Sequence, residues 1–199
     1  MGGGAVRRRR ADMATKTALH SAPRCKCAPR HPVGKCEMID VRVVPTGPLL
    51  APIFAALHRH AFAQPWSTDA FTATLAGPGT VTVVATAANN PSEEASPVGF
   101  AIARLAGPEA EILTLAVDPA HRRRGIGRRL VTALFEAARA AGATALLLEV
   151  ESTNNAAQAL YAAAGFVANG RRPGYYRVAD GQRHDALLMR AAVAEYDDT

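Results

Sequence analysis

Apolar and polar residues alternate from Ile39 to Val44, the period of a half-buried strand. Around Leu50–His60 the spacing becomes helical and places Ile53, Leu57 and Ala61 on one face. Pro65-Trp66-Ser67 breaks the chain, and Ser67 is suited to cap a short helix through Phe71 and Leu75. After the turn Gly77-Pro78-Gly79, the β-branched run Thr80–Ala87 predicts a strand. Asn89–Pro97 predicts a polar loop, and Val98–Leu105 and Glu111–Val117 predict strands flanking Gly107-Pro108. A long helix is expected from Gly125 to Ala141, with Leu130, Leu134, Ala138 and Ala141 on one face and Gly142 as its stop. Ala145–Val150 reads as a buried strand, and Asn154–Ala164 as a short helix ending at Gly165. Phe166 opens another strand, and Tyr175–Val178 with Asp185–Arg190 form a hairpin around Asp180-Gly181. Early antiparallel strands followed by strand–helix–strand–helix–strand give an α+β fold, a mixed and mostly antiparallel central sheet with helices on both faces. No internal repeat points to a solenoid.

Charge divides the chain. The formal net charge is +6. Residues 1–37 carry nine Lys and Arg against Asp12 and Glu37, whereas the rest holds 14 basic and 15 acidic residues. Basicity is therefore a property of the first 37 residues. They also carry Gly2 to Gly4, three prolines and no sustained periodicity, which predicts a basic disordered leader or an over-extended start with Met38 as the true one. An Arg-rich, acid-poor leader also fits a transit peptide, whereas no apolar stretch follows the arginines as a secretory signal requires. Residues 38–194 form the expected domain and 195–199 a short acidic tail. No apolar run reaches the ~18 residues of a membrane span, so no membrane association is expected.

Cys25, Cys27 and Cys36 lie near His20 and His31, but Cys-x-Cys is tighter than the usual zinc spacing and has no second pair. His58, His60, His121 and His184 show no ligand pattern and are expected at the surface or hydrogen-bonded; no metal is expected. Without a cysteine beyond Cys36, the domain has neither a disulfide nor a cysteine nucleophile.

The chemistry concentrates after Val117. Asp118-Pro119 leaves the strand, and Arg124 to Gly127 open the long helix. Glycines at a helix start allow close backbone approach, and its free N–H groups and dipole favour an anion. Arg122, Arg123, Arg124, Arg128 and Arg129 add cationic side chains suited to a diphosphate. The stretch is neither a Walker A loop nor a Rossmann glycine fingerprint. A solvated basic helix start would also fit it.

The segment Leu115-Ala116-Val117-Asp118-Pro119-Ala120-His121-Arg122-Arg123-Arg124-Gly125-Ile126-Gly127 resembles the R/Q-x-x-G-x-G/A motif of the GNAT acetyltransferases. Downstream, Leu148-Glu149-Val150, Asn154, Ala159-Leu160-Tyr161 and Gly165-Phe166 resemble the RimI branch. Ala63-Gln64-Pro65-Trp66-Ser67 and the later Gly174-Tyr175-Tyr176 with Asp185-Ala186-Leu187-Leu188-Met189 extend the likeness over about residues 38–192.

That resemblance implies acetyl-CoA as cosubstrate, held by Arg122, Arg123, Arg124, Gly125, Ile126, Gly127 and Arg128. By the same resemblance, the backbone of Leu115, Ala116 and Val117 is expected to pair with the pantetheine arm and the Val117 N–H to face the oxyanion. Glu149 on its own reads as an edge residue facing solvent or as a cleft carboxylate; the resemblance makes it the general base. Glu151 is expected to be merely exposed. Tyr161 reads as core, and the resemblance makes it the acid for the departing thiolate, since thiol and phenol pKa values lie within about two units. Asn154 is a helix cap and, by resemblance, a cofactor contact. Trp66, Tyr175 and Tyr176 are candidate peptide-groove residues.

The implied reaction is direct transfer in a ternary complex to a protein N-terminal α-amine, on a small-subunit ribosomal protein, by a cytoplasmic monomer. Two other functions fit less of the chain: acetylation of a small-molecule amine or Lys side chain, and a non-catalytic module binding RNA or the ribosome through Arg7 to Arg10. No direct nucleic-acid contact is expected of the domain itself.

Overall fold

A computed structural model of the protein describes residues 38–44, 47–88, 90, 92–177 and 181–193. The expected leader, the acidic tail and Asp180 of the expected hairpin turn lie outside these residues. Strands β1 (Met38–Val44), β2 (Thr80–Ala88), β3 (Ser96–Ala106), β4 (Glu109–Val117), β5 (Ala145–Glu151), β6 (Val167–Arg177) and β7 (Arg183–Ala192) form one sheet in the order β1-β2-β3-β4-β5-β7-β6. Every neighbouring pair is antiparallel except β4 with β5.

Period-two patterning sends alternate residues to two cores. Val83, Ala85, Ala101, Ala103, Leu146, Leu148 and Met189 pack beneath helix α3 (Ile126–Ala140), whose Leu130, Val131, Leu134, Phe135 and Ala138 are buried. Tyr161 of helix α4 (Asn155–Ala163) joins that core. Val84, Phe100, Ile102 and Ala116 face the other way, toward helices α1 (Ala51–Ala61) and α2 (Thr68–Leu75). There Phe54 stacks on Phe100 with ring centroids 4.2 Å apart, and both are fully buried. Burying such a ring contributes about 2–3 kcal/mol.

Ser67 caps α2 by accepting from the Ala70 N–H at 3.1 Å. α3 ends at Gly142 (φ +80°), where the Ala143 N–H returns to the Ala138 carbonyl at 2.9 Å. Three expectations change. The buried face of α1 is Ala51, Phe54, Ala55, Leu57 and His58, while Ile53 is exposed, because α1 turns its aromatic stripe to the sheet. Ala141 is exposed as the C-cap of α3 rather than on its apolar face. The strand after Phe166 and the strand at Tyr175 are one continuous β6, irregular between Ala168 and Gly170 and between Arg172 and Tyr176.

Two irregularities of β4 shape the centre of the sheet. The parallel register with β5 runs from Glu109↔Ala145 to Ile112↔Leu148 and stops. Against β3, Ala103 pairs with Ile112 but Ile102 pairs with Thr114, so Leu113 is an extra, bulged residue. The bulge reverses the phase of the strand: Ala110 and Ile112 face α3, whereas Ala116 faces α1 and α2. The second half of β4 thus leaves β5 and opens the sheet, one residue before Glu149.

Candidate active site

On one side of this opening, β4 runs into α3. The Asp118 carboxylate accepts from the Ala120 N–H at 2.8 Å and shapes the 3-10 turn Pro119–His121. Arg123 then adopts φ +64°, and Gly125 adopts φ +76° as the N-cap of α3 with no side-chain cap bond. An L side chain in this left-handed region costs about 1–2 kcal/mol, so the turn stores strain at Arg123 and avoids it at Gly125. The α3 start is left with N–H groups that no capping side chain fills, the arrangement that receives an anion.

Arg122, Arg123, Arg124 and Arg128 are exposed there. Arg122 Nε donates to the Val117 carbonyl at 3.2 Å and Arg124 Nη2 to the Ala120 carbonyl at 3.4 Å. Gly127 serves packing: a Cβ there would lie 3.2 Å from Leu160 Cδ2, so the glycine lets α4 approach α3. The Ile126 side chain is buried, and only its backbone is available to a ligand. Leu115 and Val117 also turn their side chains to packing beneath α3, and Ala116 to the opposite core.

On the other side, β5 runs into α4. Asn154 caps α4 by accepting from the Ala157 N–H at 3.1 Å. Gln158 Nε2 donates to the Glu151 and Ser152 carbonyls at 3.2 and 3.0 Å, tying the helix back to the strand. This turn is closed by side chains where the other is open.

Glu149 projects from the face of β5 opposite α3, with its side chain 18% exposed. Arg172 Nη2 holds one carboxylate oxygen at 3.1 Å. The two line a cavity of about 240 Å³ with Glu109, Glu111, Leu147 and Leu188. Tyr161 sits beside Leu160 and packs edge-on to Phe166 at 5.6 Å. Burial, reinforced by the negative charge Tyr176 would carry, pushes its phenol up to about 12. Tyr161 is thus fully protonated at neutral pH but a weaker acid than expected; against a free thiol near 8.5 the gap widens to about 3.5. The Tyr176 phenol is raised by burial, then by Glu149, Tyr175 and Glu151, so Tyr176 lies within electrostatic reach of both Glu149 and Tyr161.

Glu151 is not merely exposed. Its carboxylate is half-buried and pairs with His184 Nδ1, which also lies 3.3 Å from Thr153 Oγ1. Asp185 ties the hairpin further, accepting from the Gly174 N–H at 2.8 Å and pairing with Arg171 Nε at 2.9 Å. Tyr175 is exposed, with the Arg172 guanidinium 5.6 Å from its ring centre. The Glu151–His184 and Glu149–Arg172 pairs span strands far apart in sequence, and no local pattern announces them.

Trp66 belongs to a different cluster. Its ring lies 5.6 Å from His58 and 5.3 Å from Phe71, and its backbone N–H donates to His58 Nδ1 at 3.2 Å. His58 is buried among Phe62, Trp66, Phe71 and Phe100, and desolvation lowers its pKa to about 4. His60 Nδ1, at the end of α1, stands 3.9 Å from the Asp118 carboxylate. Among the described residues, no group of three or more His, Cys, Asp or Glu is placed to hold a metal, and no helix is long and apolar enough to cross a membrane.

The parallel strand pair thus opens between an uncapped glycine turn on one side and a carboxylate and a tyrosine on the other. Residues 51–166 match the acetyltransferase (GNAT) family, and the chain belongs to it; members of this family use acetyl-CoA. Among its relatives is the [ribosomal protein bS18]-alanine N-acetyltransferase of Haemophilus ducreyi, 39% identical over 98 residues, which cover 49% of this chain and 68% of that protein. The N-alpha-acetyltransferase RimI of Mycobacterium tuberculosis is 41% identical over 131 residues, 64% of this chain and 75% of that one. Matches span as little as 33% of a relative's length, as in a Mycobacterium leprae protein. The crystal structure of the Escherichia coli ribosomal-protein-S18-alanine N-acetyltransferase superposes with a TM-score of 0.69 at 30% identity, over 81% of this chain and 98% of that one.

Proposed function

We propose that this acetyltransferase transfers acetyl from acetyl-CoA to the α-amine of a protein N-terminus, as the name of the Mycobacterium tuberculosis relative describes for it, on an alanine of a ribosomal protein, as the name of the Haemophilus ducreyi relative describes for it. The observation that carries the reading is the end of β4–β5 pairing at Ile112↔Leu148, which leaves Glu149 beside an unpaired strand edge. Bound acetyl-CoA supplies an activated thioester. The backbone of Leu115, Ala116 and Val117 offers that edge to an extended ligand arm, with the Val117 N–H as oxyanion donor. The turn Arg122, Arg123, Arg124, Gly125, Ile126 and Gly127, with Arg128, receives the diphosphate. Asn154 acts through the cap that fixes the start of α4.

Glu149 removes the proton of the attacking amine. An α-amine titrates at roughly 7.7–8.0, so a carboxylate suffices at neutral pH, whereas a lysine near 10.4 asks more. Tyr161 holds the proton destined for the leaving sulfur; desolvation in the occupied site raises the thiol, as burial has already raised the phenol, and so narrows their mismatch. Tyr175 and Tyr176 line the acceptor groove, while Trp66 packs in the separate cluster with His58 and Phe71.

Mass spectrometry of an alanine-initiated peptide with a free or blocked N-terminus, incubated with acetyl-CoA and the protein, tests the reading. Acetyl is expected on the free α-amine only. Equal labelling of a blocked peptide bearing lysine would sink it.

A further inference from the structure

Glu149 and Arg172 meet across an intervening strand. The register sets Glu149 in a row with Leu188 and Gly170, and Glu151 in the next row with Ala186 and Arg172. Two strand spacings come to about 9.6 Å, which only long side chains bridge. Arg172 does not follow its own row to Glu151, whose carboxylate is paired with His184. It turns instead to the neighbouring row, where Gly170 has no side chain, and Nη2 reaches Glu149 Oε1 at 3.1 Å. Its guanidinium also lies 5.6 Å from the Tyr175 ring centre, within cation–π range. An exposed arginine on an edge strand is thus held at two points.

The contact takes one oxygen only. Glu149 Oε2 has no hydrogen-bond partner among the described residues, yet it is not one of the atoms sealed from solvent. Both side chains line the cavity at the strand opening. The other charged or titratable groups around this carboxylate are Glu109 and Glu111 of β4, Glu151 of β5 and Tyr176 of β6. Arg190 of β7 is turned toward Glu109. The surroundings are therefore mainly acidic, and Arg172 brings a cation to bonding distance of Glu149. Like charges disfavour an ionised carboxylate and an adjacent cation favours it.

We propose that Arg172 is a positioning residue for the transfer: it pins Glu149 Oε1, keeps the carboxylate ionised and leaves Oε2 to take the amine proton. This rests on the reading of Glu149 as the base of an amine acetyltransferase. The N–C bond forms and the C–S bond breaks; one amine proton passes to Oε2, and the sulfur takes the Tyr161 proton. Glu149 then returns its proton to solvent and Tyr161 regains one.

The test uses full-length Arg172→Met, Arg172→Lys, Glu149→Gln and the double variant Glu149→Gln/Arg172→Met, with thermal melting to confirm folding. Peptide kcat/KM is measured on an alanine-initiated peptide and expressed relative to wild type at each pH, which cancels the titration of the α-amine itself. Arg172→Met should be slower by about tenfold at pH ~5.5 but by only about threefold at pH ~8.5, since the bare carboxylate is protonated first as pH falls. Its KM for acetyl-CoA should not change. Arg172→Lys restores the charge and should recover most of the low-pH rate. In the Glu149→Gln background, Arg172→Met should cost nothing further, because the two act as a unit. If melting shows Arg172→Met unfolded, Arg172→Gln takes its place with the same expectations. A deficit equal at both pH values, no deficit, a lysine variant no better than methionine, or a further loss in the double variant overturns the proposal. Wild-type protein that leaves the free α-amine unacetylated defeats the functional reading instead, and the same profiles on a lysine-bearing peptide then decide Arg172.

Discussion

The two strand-to-helix junctions are built on opposite principles. After β4, the start of α3 has no side-chain cap, and the turn holds Arg123 and Gly125 at positive φ. After β5, Asn154 caps α4 and Gln158 ties the helix to the strand through two carbonyls. The first leaves the helix start without a side-chain cap among exposed arginines; the second uses its polar groups to fix the start of the helix that carries Tyr161. They meet where Gly127 admits Leu160. The proposed reactive geometry thus divides between an open junction and a closed one.

The sharpest way to break that contrast is to remove the carboxylate proposed as base beside the rigid junction. Glu149→Gln should lower kcat by about 10²-fold or more, within the usual range for a general base, while the KM for acetyl-CoA stays put. Steady-state kinetics decide it, and an unchanged kcat would leave Glu149 as a mere partner of Arg172.

An effect on stability comes next, and it arises away from both junctions. Buried His58 has its folded pKa lowered from 6.5 to about 4. The unfolded chain therefore takes up the proton first as pH falls. Stability is complete above pH ~6.5 and drains away toward pH ~4, by as much as about 3 kcal/mol. Denaturant melts across this range should show the loss in wild type and a smaller one in His58→Phe. Variants at either junction should leave it untouched.

The smallest effects separate the junctions directly. Gly125→Ala forces a Cβ into φ +76°, costs about 1 kcal/mol and should raise the KM for acetyl-CoA about tenfold. Asn154→Ala should cost a similar ~1 kcal/mol by loss of the cap with the KM little changed. If both variants moved the KM equally, the division of labour would be wrong.

Most strands and helices could be read from period alone, because apolar stripes report the two cores directly. The glycine turn before α3 was legible for a related reason: Gly125 and its arginines are local in sequence. What escaped reading is non-local. Pro173 and Gly174 look like breakers, yet β6 is the edge of the sheet, where a missing N–H and an irregular register are tolerated. The buried stripe of α1 runs through His58, a residue counted as polar until its aromatic neighbours are known. Glu151 met His184 only when β5 and β7 paired. The Leu113 bulge leaves no compositional mark at all.

That bulge has a consequence for how sequences of this kind can drift. Ala110 and Ile112 are chosen by packing under α3, whereas Ala116 answers to the opposite face. One strand therefore carries two independently constrained texts, divided at a single inserted residue. Tolerance to substitution measured in the first half is no guide to the second, and deleting Leu113 would exchange their faces at a stroke.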